Sequence, residues 1–279
     1  MIDESRAPWL TVQRGSAPLL LCMPHTGTSI PPAVEAQLVS PWLGRKDTDW
    51  LIERLYGFAG GLGASIVRTG VSRTVIDANR DPSGASLYPG QATTELCPTT
   101  TFDGEPLYRA GCAPSPEEIA TRRRVYFEPY HRTIEEEIAR LRGRYAQVVL
   151  YDCHSIRSRI PRLFSGTLPN FNLGNFGGAS CSASLTQRIE LLCDGTDFSR
   201  VTNGRFKGGY TTRHYGRRHD GVHAVQMELA CRGYLREPAG AVDESNWPCA
   251  WDEGFATPMR TVLERVLAAC IEFASEVQA

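Results

Sequence analysis

No segment of this sequence approaches the ~20 consecutive apolar residues of a membrane-spanning helix. An excess of charge is also missing. The formal net charge of −1 gives no electrostatic reason to expect a nucleic acid or an anionic membrane as partner. The nine cysteines stand singly, with no CxxC pair, which argues against a zinc ribbon or a thioredoxin-type motif. Free thiols in a reducing cytoplasm are the expectation. The segment Met1 to Arg6 carries an acidic pair and no apolar core, so a signal peptide is not expected. Internal repeats and low-complexity linkers are absent. The glycine-rich stretch Gly174 to Gly178 lacks the lysine of a P-loop and the strand-to-helix setting of a dinucleotide-binding turn.

What is present is ordinary in amount: 42% apolar and 22% charged residues, in a chain of 279. That suffices for one large α/β domain or two small ones. No boundary is visible, so one unit over 1–279 is expected. Apolar runs at 18–23, 64–67, 74–77, 146–150 and 222–229 read as strands. Helices are expected at about 47–59, capped by Asp47 or Asp49 and ended by Gly60-Gly61, and at 117–143 with an interruption near Pro129. Two more are expected at 182–193 and 257–277. The segments 79–116 and 155–178 are irregular, and 201–215 reads as extended. A loop as long as 79–116 inside a compact domain usually walls a site. Strands alternating with helices predict a three-layer α/β/α sandwich around a mostly parallel or mixed sheet.

Two histidines stand at the ends of apolar strands: His25 after Leu19 to Met23, and His154 after 146–150. Open α/β sheets place their sites at such strand ends. A lone histidine is more often a satisfied core residue, but two in equivalent places suggest a metal site assembled in space. A catalytic zinc takes three protein ligands from His, Asp or Glu. Asp47-Thr48-Asp49 offers two candidates for the third, and Asp49 is preferred over Asp47. Glu228, acidic within an apolar strand, suits a general base, with an ion pair to Arg232 as the bland alternative. Arg73 and Arg80 flank a short segment and can grip carboxylates through bidentate forks, or can pair on the surface with Asp77 and Asp81. Arg213, His214 and Tyr215, beside Gly208-Gly209, offer a carboxylate anchor, a proton donor and an oxyanion stabiliser; a glycine-rich hairpin with exposed polar residues is the alternative. His131, His219 and His223 carry no comparable context. Cys153 adjoins His154, but neighbours on a strand face opposite ways, so the two cannot form a nucleophile–base couple.

Taken in order, the segments PHTG (24–27), DTDW (47–50), SRTVIDANR (72–80), LYPGQATTELCPTTTFDGEPLY (87–108), PYHRTI (129–134), DCHSIRS (152–158), PRLFSGTLPNFNLG (161–174), NGRFKGGYTTRHYG (203–216) and GVHAVQMEL (221–229) resemble the N-formylglutamate amidohydrolase family of histidine degradation. That family looks like a distant relative of zinc carboxypeptidases and aspartoacylase-type deacylases. The order His25, Asp49, Asn79-Arg80, His154, Glu228 matches theirs, although His25 and Asp49 lie much further apart than the corresponding pair does in those relatives. The resemblance implies hydrolysis of a small acidic N-acyl amino acid, N-formyl-L-glutamate, by a cytoplasmic enzyme with a divalent metal, Zn2+ first among the candidates. It implies metal ligands His25, Asp49 and His154, and catalytic Glu228 and Arg73 with His214. Asn79, Arg80, Arg213 and Tyr215 would then bind substrate. Arg159 and Arg205 are further candidates for its carboxylates.

Overall fold

A computed structural model describes residues 8–276. Its centre is a seven-stranded mixed sheet in the order β1-β3-β2-β4-β7-β5-β6. The strands are β1 (Leu10–Gln13), β2 (Leu19–Met23), β3 (Ser65–Thr69), β4 (Val148–Ile156), β5 (Phe171–Gly174), β6 (Arg200–Thr202) and β7 (Val222–Ala230). The inner four, β3-β2-β4-β7, run parallel. The outer strand β1 and the pair β5–β6 meet them antiparallel. The helices are α1 (Pro32–Glu35), α2 (Ile52–Leu55), α3 (Pro116–Arg122), α4 (Glu128–Arg142), α5 (Ala183–Asp194), α6 (Tyr210–Tyr215) and α7 (Glu253–Ser275).

Strand periodicity divides the core in two. Leu19, Leu21, Val149, Tyr151, Cys153, Val225 and Met227 face one way, onto α5 and α7. Leu20, Cys22, Val148, Leu150, Val222 and Ala224 face the other, onto α4 through Tyr130, Ile134 and Ile138. Both faces are covered, as a parallel sheet requires, and the expected three layers result. Each fully buried Leu or Val contributes about 1.5–3 kcal/mol. The local signals are chemical. Ser115 Oγ caps α3 by accepting from the backbone N–H of Glu118, with Pro116 at the first helical position. Asp252 caps α7 by accepting from Phe255 N–H at 3.0 Å.

Several expectations need correction. The run 74–77 is a turn, because its polar groups are claimed by side chains described below. The helix expected at 47–59 shrinks to α2 and a 3-10 turn over Ala59–Leu62. Neither Asp47 nor Asp49 caps α2; Leu51 precedes it in the left-handed region at φ 60°. The interruption expected near Pro129 takes the form of a π-helical turn at Arg123–Phe127, which joins α3 to α4 just before that proline. Residues 210–215, read as extended, are the helix α6. Strands β1 and β5 were not anticipated.

Candidate metal centre and active-site cavity

Strand alternation carries the site as far as the last turns of the sheet. On one face of β4 the sequence runs Val148, Leu150, Asp152, His154; on the same face of the adjacent β7 it runs Val222, Ala224, Gln226, Glu228. The face that packs α4 at one end thus becomes polar at the C-terminal end. His154 and Glu228 are direct partners across the parallel ladder, so their side chains share that face. Cys153 points into the opposite core, and burial holds its thiol well above the usual range. A thiolate nucleophile is therefore not available there.

The other half of the site arrives on loops. His25 follows β2, and its carbonyl accepts from the backbone N–H of Asp49 at 3.0 Å. Gly27 permits this turn, because an added Cβ would lie 2.2 Å from the Val71 carbonyl oxygen. Residues 72–80 then curl around Asp77. That carboxylate meets His25 Nε2 at 2.7 Å, accepts from Arg73 Nη2 at 2.7 Å and accepts from the Asn79 backbone N–H at 2.9 Å. The alternative of a surface network with Asp77 and Asp81 does not form: Arg73 and Asp77 are buried, and Asp81 accepts from Ser83 instead. Burial opposes the Asp77 charge, but His25 and Arg73 hold its carboxyl well below the ordinary range.

Asp77 and Asp152 play matching parts. Asp77 fixes Nε2 of His25, and Asp152 Oδ2 lies 3.0 Å from Nε2 of His154. Both rings therefore turn Nδ1 toward Asp49. His154 Nδ1 lies 3.1 Å from Asp49 Oδ2, and His25 Nδ1 lies 3.7 Å from the same oxygen. A carboxylate behind each imidazole is the usual way to orient a metal-ligating ring and raise its basicity. The donor atoms of His25, Asp49 and His154 lie within 4.8 Å of one another, and all three residues are buried. His25 Nδ1 and Asp49 Oδ1 have no hydrogen-bond partner although both are buried. Such orphaned atoms are costly unless something else binds them. The three residues fit a divalent cation. Asp47, the other candidate, is engaged elsewhere: it accepts from the Phe102 backbone N–H at 2.6 Å and from Arg157 at 3.1 Å.

Electrostatics separates the two imidazoles. Burial, then Arg73, lowers His25, keeping its ring neutral. Burial works against charge on His154 too, but Asp152 and Asp49 raise it well above the ordinary value. A cation bound at Nδ1 would displace any proton held there. Glu228 is pushed up to about 7, mainly by burial; the nearby His154 pulls it down and Asp49 pushes it further up. It accepts from Gln226 Nε2 at 3.1 Å. The alternative pairing with Arg232 does not form, since Arg232 Nη2 donates to Asn170 Oδ1.

One cavity gathers these groups. His25, His154, Glu228 and Arg73 form its floor, and Arg80 and Arg205 stand in its walls. The long loop expected to wall a site does so through Tyr88, Thr93, Thr94 and Phe102. Asn79 lines the cavity, but its amide serves the protein. Nδ2 lies 2.9 Å from His154 Nε2 and donates to Asp152, while Oδ1 accepts from Thr211 N–H at 2.8 Å.

The 213–215 cluster does not join them. His214 is exposed and stacks on Tyr210. The Tyr215 hydroxyl is buried against His131, at 3.0 Å from Nδ1. Arg213 donates to the Gly208 carbonyl and lies over the Tyr88 and Phe176 rings. The physical reason is α6: its helical turn points these side chains away from the sheet edge. The neighbouring glycine is needed for packing instead, since a Cβ on Gly209 would fall 2.4 Å from the Asn79 amide nitrogen. Arg159 is also remote, exposed and bonded to Thr167. The roles of Asp77, Asp152 and Gln226 escaped the sequence reading. A buried Asp two residues before a strand histidine was the one signal available.

A model of the N-formylglutamate amidohydrolase family matches residues 17–235. An N-formylglutamate deformylase of Pseudomonas aeruginosa is 47% identical over 96% of this chain and 97% of its own length. One from Pseudomonas putida is 45% identical with the same coverage. Among solved structures, an N-formylglutamate amidohydrolase from Ralstonia eutropha superposes with a TM-score of 0.77 at 22% identity, over 96% of this chain and 98% of the other. That likeness bears on the fold, and the relatives nearly half identical carry the family. With the family model covering β2 to β7 and every residue of the buried cluster, the chain belongs to the N-formylglutamate amidohydrolase family.

Proposed function

We propose that this protein is a metal-dependent amidohydrolase that cleaves N-formyl-L-glutamate to formate and L-glutamate, as a step of histidine degradation. One observation carries the reading: a buried His25–Asp49–His154 cluster beside Glu228, in an arginine-walled cavity, on a chain of this family. His25, Asp49 and His154 are the proposed ligands, and their donor set suits Zn2+. A divalent ion held there supplies Lewis acidity toward the amide carbonyl and toward water.

The chain's own groups do the rest. Glu228 takes the proton of the attacking water and delivers it to the amine nitrogen as the C–N bond breaks. A carboxyl pushed up to about 7 can serve as base and then acid near neutral pH. Arg73, buried and anchored on Asp77, faces the developing oxyanion. Arg80 stands beside the cluster to receive a substrate carboxylate. Phe102, Ile156 and Leu163 exclude water from the far side. We take residues 1–279 as one hydrolase unit. The nine free cysteines, seven of them buried, support a reducing cytoplasmic setting. Among the described residues no helix is long and apolar enough to cross a membrane.

Formate release from N-formyl-L-glutamate, before and after chelation and with metal restored, tests the reading. Activity lost with chelator and regained with Zn2+ is the expected result. A folded protein that yields no formate with any divalent metal overturns it.

A further inference from the structure

The charge balance of the cavity is uneven. Arg73 is neutralised by Asp77 at 2.7 Å and faces Asp49 at 3.7 Å. Arg80 lies 3.7 Å from Asp77 and is otherwise tied to the carbonyl and hydroxyl of Thr94. Arg205 has no carboxylate within ion-pair distance among the described residues. Its Nε donates to the Leu163 carbonyl at 2.9 Å and its Nη2 to the Ala92 carbonyl at 2.7 Å. The guanidinium lies 5.4 Å from the centroids of both the Tyr88 and Phe206 rings. It is held rigidly by neutral groups, with its remaining N–H donors unassigned. Burial, and the repulsion of Arg80, push its pKa down. Arg80 and Arg205 thus line one cavity and repel each other, and an incoming anion relieves that repulsion.

We infer that Arg205 is the specificity residue that reads the side-chain carboxylate of the substrate, while Arg80 takes the α-carboxylate. This rests on the function proposed above and assigns its substrate selectivity to one side chain. The assignment follows from reach. In an N-formyl amino acid the α-carboxylate carbon is two bonds from the nitrogen, and the side-chain carboxylate of glutamate is four bonds away. Arg80 Nε lies 3.7 Å from Asp77, which holds His25 Nε2 at 2.7 Å, so this guanidinium stands beside the proposed metal ligands. Arg205 is fastened instead to the carbonyls of Ala92 and Leu163, which also line the cavity. Phe102, Ile156 and Leu163 give the methylenes between the two carboxylates an apolar path. A neutral side chain would leave the half-buried Arg205 without an anionic partner, which costs binding.

The test compares kcat/KM for N-formyl-L-glutamate and N-formyl-L-glutamine in the wild type, Arg205→Met and Arg205→Lys. The wild type should favour the glutamate substrate. Arg205→Met should lower kcat/KM for it by roughly 10- to 100-fold and change the glutamine substrate little, so that the preference collapses. Arg205→Lys should restore part of the preference. An equal loss on both substrates, or an unchanged ratio, overturns the inference. Should Arg205→Met not fold, Arg205→Lys together with wild-type inhibition by L-glutamate and L-glutamine decides the matter. Equal inhibition by the two counts against Arg205. A wild type inactive on N-formyl-L-glutamate defeats the functional reading itself, which is a different result from any change in ratio.

Discussion

The strand-borne and loop-borne halves of the site are held in place by different forces. Asp152, His154, Gln226 and Glu228 lie on one face of two paired strands, and their spacing is fixed by the backbone ladder. His25, Asp49, Arg73 and Asp77 lie on turns and depend on each other's side chains. The ladder is neutral and satisfied without them. The loop half is a buried ionic network whose desolvation cost is recovered only while every partner is present. The first half should therefore tolerate a neutral isostere with its frame intact, and the second should lose geometry and stability together.

The comparison is broken most severely by removing the atom on which both halves converge. Asp49→Ala should abolish metal retention, read by elemental analysis of the purified protein, and with it formate release. Asp47→Ala should keep the metal, because Asp47 serves only Phe102 and Arg157. Retention of metal by Asp49→Ala would remove Asp49 from the ligand set.

Glu228→Gln comes next. It should lower kcat by about 10²–10⁴-fold while metal content and melting temperature stay near wild type, since the ladder fixes its place. Unchanged turnover would assign the base elsewhere.

Asp77→Asn and Asp152→Asn sharpen the contrast at equal chemistry. Each should weaken metal affinity by about 10- to 100-fold, as expected when the carboxylate behind a ligating imidazole is lost. Only Asp77→Asn should also cost about 3–5 kcal/mol of stability, because it leaves Arg73 buried without its partner. Urea unfolding of the two variants measures the difference, and equal stabilities would refute the division into halves.

The last contrast concerns the scaffold beneath, away from the catalytic groups. His131 packs against Phe127, with Nε2 2.8 Å from the Ala78 carbonyl, and burial lowers its pKa to about 3. The unfolded chain takes up this proton near the ordinary value of ~6.5, whereas the folded protein does not until about 3. The contribution is therefore complete above the unfolded value and is lost as pH falls from there toward 3. Thermal unfolding across that window should be less steep with pH in His131→Gln than in wild type.

Periodicity served the sequence reading well where the ladder rules. Strands β2, β4 and β7 were legible, with Cys153 assigned to the opposite face from His154, because alternation is a local property. The segment 74–77 differs for the opposite reason. Its short run of β-branched residues imitates a strand, but Asp77 gathers His25, Arg73 and Asn79 and bends the chain into turns. The cluster at 213–215 looked equally rich in chemistry, yet α6 turns it from the cavity.

The sequence by itself determined the layered α/β architecture, the two strand-end histidines and the acidic residue inside an apolar strand. These follow from residue type and period, which act over a few positions. The tertiary structure grouped Asp49 rather than Asp47 with the two histidines, placed a carboxylate behind each imidazole, and left Arg205 rather than Arg213 or Arg159 lining the cavity. Those outcomes depend on contacts between residues far apart in the chain, where no local pattern records which of several equivalent side chains will meet.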